Sequence, residues 1–240
     1  MCLIVIAHGT APRYPLVVAA NRDELHARAA EAARWWPDAP DVFGGRDLVA
    51  GGTWLGMDRK GRVAAVTNVR AEGPREAPRS RGALVAEYLL GAETAPAYAE
   101  RVAVAAGQYA PFNLLLVEAG RVLYSSNRAP AADVPAGVHA LSNAPRGEEW
   151  PKTASARLGV TRLLEESAPL EPLFALLATR DRREPFEERY RASHFLLGPV
   201  YGTRASTVIL VDADGDVTFA ERSFDATGEM TGEVRETFAL

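Results

Sequence analysis

The stretch Cys2-Leu3-Ile4-Val5-Ile6-Ala7, a short loop, and then Leu16-Val17-Val18-Ala19-Ala20-Asn21-Arg22-Asp23-Glu24 decides how this chain folds. Two apolar, β-branched runs joined by a loop with Gly9, Pro12 and Pro15 read as a β-hairpin buried on both faces. Antiparallel pairing brings the end of the second run back to the start of the first. The only cysteine of the chain, Cys2, is then expected beside a polar cluster. With Met1 removed, as is usual before a small residue, Cys2 becomes the first residue and an N-terminal nucleophile.

The chemistry favours such a position. A thiol attacks as its thiolate, and a free thiol has a pKa of ~8.5. A free α-amine has a pKa of ~8 and can take a proton near neutral pH. One residue then supplies both nucleophile and base. The competing reading makes Cys2 a small buried hydrophobe in a core strand. The polar run also reads two ways. Asn21 with Glu24 three residues on forms a capping-box pattern ahead of an Ala-rich segment, 23–34, with helical spacing. Arg22 is unfavourable at a helix start, so the run serves a cap, a site, or both.

At 240 residues the chain is long enough for one large domain, 1–240, with a well-buried core. A net charge of −4 and the absence of a Lys/Arg-rich run argue against a nucleic-acid partner. One cysteine excludes an internal disulfide framework and a cysteine-rich metal site, and the four histidines show no metal-ligand spacing. No apolar run approaches the ~20 residues that span a bilayer, and the opening run lacks a basic leader, so a cytoplasmic location without stable membrane insertion is expected. Lys60 and Lys152 are the only lysines among 27 basic residues. Amides are scarce too: one glutamine, Gln108, and five asparagines, Asn21, Asn68, Asn113, Asn127 and Asn143. Each surviving asparagine therefore invites an explanation.

Two glycine pairs, Gly44-Gly45 and Gly51-Gly52, read as tight turns, or as a loop forming a pocket wall around Trp54. Hairpins are expected over 53–68, 112–126 and 206–221, the last turning at Asp214-Gly215. The spacing of Asp212, Asp214 and Asp216 departs from a calcium loop. Helices are expected from a Ser80 cap to residue 90, and over 94–109, 151–166 and 170–179; residues 71–80 and 180–191 read as exposed charged loops. Strands joined by hairpins and interrupted by helix pairs imply an α+β fold. The best-fitting architecture is a four-layer αββα sandwich, two antiparallel sheets between helix layers.

Ala20-Asn21-Arg22-Asp23-Glu24, Gly44-Gly45-Arg46-Asp47, Gly51-Gly52-Thr53-Trp54-Leu55-Gly56, Thr67-Asn68-Val69-Arg70, Ser80-Arg81-Gly82, Phe112-Asn113-Leu114, Leu141-Ser142-Asn143-Ala144, Trp150-Pro151-Lys152 and Gly202-Thr203-Arg204 form, with Met1-Cys2, an ordered set. That set resembles the NRDE, or transport-and-Golgi-organisation, family over nearly the whole chain. More distantly the layout resembles the cysteine N-terminal-nucleophile hydrolases, the group of penicillin V acylase and bile-salt hydrolase. This resemblance implies that Arg22 and Asp23 position the amine and thiol of Cys2. It also implies that Asn68 and Asn143 frame an oxyanion site or hold the α-amine. Asn21, Glu24, Trp54 and Arg204 would contact substrate. In those hydrolases the Arg and Asp are separated, whereas here they are adjacent, which leaves open which of Arg22, Asp23 and Glu24 faces Cys2. Two functions follow from the resemblance. One is hydrolysis of a non-peptide amide or thioester of a small acyl substrate, with no cofactor. The other is a non-catalytic carrier of haem or of a lipid or acyl-CoA in the same pocket.

Overall fold

The computed structural model describes residues 2–70, 77–165 and 170–240. The first half contains β1 (Cys2–Ala11), β2 (Tyr14–Leu25), β3 (Ala30–Trp36), β4 (Ala39–Asp47), β5 (Leu55–Asp58) and β6 (Val63–Asn68), then α1 (Gly82–Leu90) and α2 (Ala95–Val104). Next come β7 (Phe112–Glu118), β8 (Arg121–Ser126), β9 (Ala132–Val134), β10 (Gly137–Leu141), α3 (Pro151–Glu165), α4 (Leu170–Leu177) and α5 (Phe186–Ala192). β11 (Tyr201–Val211), β12 (Asp216–Phe224) and β13 (Met230–Ala239) end the chain. The strands form two antiparallel sheets, ordered β10-β1-β2-β11-β12-β13 and β3-β4-β5-β6-β7-β8-β9.

The chain divides into two compact units, one per sheet. The first unit takes Met1–Ala27, Ala136–Ser142 and Glu148–Ala239. Its opening hairpin is buried without interruption from Cys2 to Ala7 and from Leu16 to Asp23. One face of the sheet, with Leu3, Val5, Val17, Ala19, Val208 and Leu210, packs against Val160, Leu173, Phe174 and Leu177 of α3 and α4. The opposite face, with Ile4, Ile6, Val18 and Ile209, is equally buried. In the second unit, α1 and α2 press Leu84, Tyr88, Leu89, Tyr98 and Val102 onto Ala64, Val66, Leu114 and Leu116 of the other sheet. No helix among the described residues is long and apolar enough to cross a membrane.

Several expectations fail for identifiable reasons. The Ala-rich stretch 23–34 is not a helix: β2 runs on to Leu25, and β3 pairs with β4. Alanine's helix propensity is overridden by strand pairing. Asn21 is therefore no helix cap but an interior residue of β2. Gly44 and Gly45 lie inside β4 and make no turn. A Cβ on Gly44 would sit 2.8 Å from the Leu55 carbonyl oxygen of β5, so glycine there answers a close strand approach. The second helix stops at Val104 and continues as a 3₁₀ turn over Ala106–Gln108. Arg81, not Ser80, occupies the N-cap of α1. Within 180–191 the chain forms α5, and the C-terminal strand β13 was not foreseen. Residues 71–76 of the expected loop, and residue 166 of the third helix, lie outside the described residues. The Asp-Gly turn is present: Asp212 Oδ1 accepts the backbone N–H groups of Asp214 and Asp216, and Gly215 adopts φ +88°.

Candidate functional site

Cys2 opens β1, and strand register places it directly opposite Arg22 of β2. Directly opposed residues of an antiparallel pair share a face. Glu24, two residues on, lies on that face too, with its Oε2 3.9 Å from Arg22 Nη2. Asn21 and Asp23 alternate to the face covered by helices. The Cys2 carbonyl accepts a hydrogen bond from Ser142 Oγ at 3.0 Å. Cys2 is 7% exposed. Burial, reinforced by the charge of Asp23, pushes its thiol above its ordinary value; the amino-terminal charge, Arg22 and the Asp23 backbone N–H act in the opposite direction.

Asp23 is buried at the end of β2, facing β11. Its Oδ1 accepts from Thr203 Oγ1 at 2.6 Å, and its backbone carbonyl accepts from the Tyr201 hydroxyl at 2.6 Å. Thr203 Oγ1 accepts in turn from the Leu196 N–H at 2.8 Å, which fixes its rotamer. Burial raises the Asp23 carboxyl, and the strongest influence opposing it is Lys152. Lys152 lies in the first turn of α3 at 1% exposure. Burial lowers its ammonium, while the charges of Asp23 and then Cys2 support the charged form. Asp23 and Lys152 thus each relieve the other's burial penalty.

Asn21 is fully buried and braces backbone. Its Nδ2 donates to the carbonyls of Leu177 and His194, and its Oδ1 accepts from Ser206 Oγ. The register of β11 against β2 skips Arg204, passing from Thr203 to Ala205. At this bulge its guanidinium donates to the carbonyls of Leu25 and His26 at 3.1 and 2.8 Å. Glu24 Oε1 accepts the Leu25 N–H.

The second unit holds the other named residues. Asn68 ends β6 opposite Phe112, half-buried. Asn143 is 1% exposed. Its Nδ2 donates to the Asn68 carbonyl at 2.7 Å, and its own carbonyl accepts from the Arg70 N–H at 2.7 Å. Trp54, half-buried, precedes β5, and its carbonyl accepts from the Val66 N–H. The structure thus groups Cys2, Arg22, Asp23 and Glu24 in one unit and Asn68 with Asn143 in the other.

Sequence reasoning missed Lys152, Thr203, Tyr201 and Ser142. One signal pointed to the first: in a chain that uses arginine almost throughout, a lysine inside the Trp150-Pro151-Lys152 run is an anomaly. Hydroxyl partners such as Thr203 give no such signal, because they depend on the register of β11 against β2.

A profile of the family described as Transport and Golgi organisation 2 matches residues 1–226. The Bos taurus Transport and Golgi organization protein 2 homolog is 35% identical over 258 aligned positions, covering 93% of this chain and 93% of that protein. The Homo sapiens homolog is 32% identical with the same coverage. Among solved structures, the Caenorhabditis elegans N-acylethanolamine-hydrolyzing acid amidase ortholog matches with a TM-score of 0.56 at 12% identity, over 87% of this chain and 92% of that chain. That likeness shows a shared fold, the N-terminal-nucleophile hydrolase fold. With the profile match over most of its length and curated relatives above 30% identity, the chain belongs to the Transport and Golgi organisation 2 family.

Proposed function

We propose that the protein is a cysteine N-terminal-nucleophile hydrolase that cleaves a non-peptide amide, or a thioester, of a small acyl substrate. The observation that carries this reading is the seat of Cys2: first on β1, opposite Arg22, with the Asp23 N–H on its sulfur. The amide preference draws support from the similar C. elegans protein, described as hydrolysing N-acylethanolamines.

After loss of Met1, the Cys2 α-amine takes the thiol proton as sulfur attacks the acyl carbonyl. The S–C bond forms, and negative charge collects on the carbonyl oxygen. A hydrogen-bond donor aimed at that oxygen is worth ~3 kcal/mol in the transition state. The C–N or C–S bond then breaks, and the leaving group carries away the proton. Water, deprotonated by the same amine, hydrolyses the acyl-cysteine and restores the thiol. Because burial keeps the resting thiol protonated, transfer to the amine is expected to accompany attack rather than precede it.

The test is incubation with a small activated acyl ester, read by intact mass. One acyl group on the wild type, none on Cys2→Ala, and an amino terminus lacking Met1 support the reading. Retention of Met1, or equal labelling of both proteins, overturns it. Stoichiometric haem or acyl-CoA binding that survives Cys2→Ala, with no acyl-enzyme formed, establishes the carrier instead.

A further inference from the structure

The chain on either side of α5 encloses a cavity of about 340 Å³, a volume that takes a small molecule. All of its walls belong to the first unit. Two backbone ties hold them together. The Phe195 N–H donates to the Thr179 carbonyl at 2.9 Å, and the Asp181 N–H donates to the Ser193 hydroxyl at 2.9 Å.

Charge in this wall is unbalanced. Arg180, Arg182 and Arg189 line it together with two carboxylates, Asp181 and Glu184. Both carboxylates are already engaged. Asp181 Oδ2 lies 3.2 Å from Arg183 Nε, and Glu184 Oε1 accepts from Arg189 Nη1 at 2.6 Å. Among the described residues, the Arg182 guanidinium has no hydrogen bond or ion pair, and Arg189 Nε is buried without a partner. The Arg180 guanidinium meets only the Gly228 carbonyl, at 3.4 Å, and the face of the Phe195 ring, at 4.9 Å. A guanidinium offers five donors in a planar fork, so this wall keeps a surplus of positive charge and of unused N–H groups.

Apolar surface adjoins that charge. Phe195 is held edge to face against Phe224, ring centroids 4.8 Å apart. Gly228, at φ +79°, marks where the two kinds of surface meet. A Cβ added there would lie 2.5 Å from Leu197, 3.1 Å from Arg180 Nη2 and 3.2 Å from the Phe195 ring.

We infer that this cavity is a binding site for a small amphipathic carboxylate. Its head is met by the guanidinium groups of Arg180 and Arg182, and its compact apolar body rests on Phe195 and Leu197. A flat carboxylate is the shape that a guanidinium fork accepts through two parallel hydrogen bonds. The inference stands apart from the hydrolase reading, because none of these residues belongs to the Cys2 site.

The experiment is a titration of the full-length protein with 2-naphthoate, followed by the fluorescence anisotropy of the naphthyl group. Saturable one-to-one binding is expected, with the uncharged 2-naphthamide about ten-fold weaker or worse. Arg180→Met/Arg182→Met should weaken naphthoate about ten-fold, and Leu197→Ala about three-fold. Arg59→Met/Arg121→Met, an equal loss of charge in the second unit, should stay within about two-fold of wild type. Arg180 and Arg182 are exposed, so their variants are expected to fold, and a thermal melt checks this. Should the double variant melt early, Arg182→Met alone replaces it, since that side chain has no partner to lose. Absence of saturable binding, equal binding of the amide, or naphthoate binding indifferent to the folded arginine variant overturns the inference. So does binding abolished by Cys2→Ala, which would place the ligand in the Cys2 site instead.

Discussion

Ser206 Oγ donates a 2.6 Å hydrogen bond to Asn21 Oδ1, and Asn21 passes the connection on to the carbonyls of Leu177 and His194 at 2.9 and 2.8 Å. One amide thereby ties β2, β11, the end of α4 and the stretch that follows α5. Asn21→Leu keeps the volume but strands two carbonyls and a hydroxyl in the interior. A loss of about 3 kcal/mol in urea unfolding, with an unchanged m-value, is expected. A loss below about 1 kcal/mol would show that the bonded groups find other partners.

Arg62 and Asp58 form a buried pair in the second unit, Nε to Oδ2 at 2.7 Å. Arg62 Nη2 also donates to the carbonyls of Leu89 and Gly91, closing the end of α1. Arg62→Met should cost about 3–5 kcal/mol, because it leaves a buried carboxylate and two carbonyls unmet. Asp58→Asn/Arg62→Met should recover part of that loss. A double variant no more stable than Arg62→Met would locate the cost in the helix end alone.

Gly52 meets α1 at its backbone: an added Cβ would lie 2.5 Å from both the carbonyl carbon and oxygen of Gly82. Neither atom can rotate away. Gly52→Ala is expected to lower stability by about 1–3 kcal/mol. Gly107→Ala, with open space around the new methyl, should stay within about 0.5 kcal/mol. Thermal melts of the two variants decide the matter, and similar melting temperatures would contradict it.

The Cys2 thiol titrates above its ordinary value because it is buried. The native state therefore holds the thiol proton to higher pH than the unfolded chain does. The stability this contributes is complete below the unfolded thiol pKa of ~8.5 and is lost as pH rises through the native value. Denaturant unfolding of the wild type and Cys2→Ala between about pH 7 and 10 should show their stability difference moving against the wild type at the alkaline end. A difference that is flat, or that grows in favour of the wild type, would contradict the direction.

The opening hairpin was legible because its residues are apolar at every position, a pattern that a doubly buried strand requires; the Cys2–Arg22 register follows directly from it. The hairpins over 53–68 and 112–126 announced themselves through turn residues at Gly61 and Gly120, which adopt φ +80° and +76°. β3 was illegible because Ala30-Glu31-Ala32-Ala33-Arg34 carries helix formers, and only β4 beside it makes it a strand. β13 is an edge strand of mostly exposed residues, with Val234, Glu236 and Phe238 alternating inward, too weak a period to stand out. Asparagine scarcity was a sound pointer to buried amides, but their work is largely bracing backbone. Asn113 donates to Thr67 Oγ1 and the Ala144 carbonyl and accepts from the Tyr124 hydroxyl. Lys152 was legible only as an anomaly of composition, because its burial depends on the packing of α3 and not on its neighbours in sequence.

The hydrogen bond from Ser206 to Asn21 spans 185 residues of chain. During synthesis at ~5–20 residues per second, β2 waits on the order of ten seconds or more for β11 to emerge. Through that interval the opening hairpin has a bare edge, and Cys2 is open to the enzymes and oxidants of the translating cell. A ribosome that stalls before residue 201 would leave the β2 edge of that hairpin without its partner. The far end of the message therefore controls how long the first codons' product stays at risk.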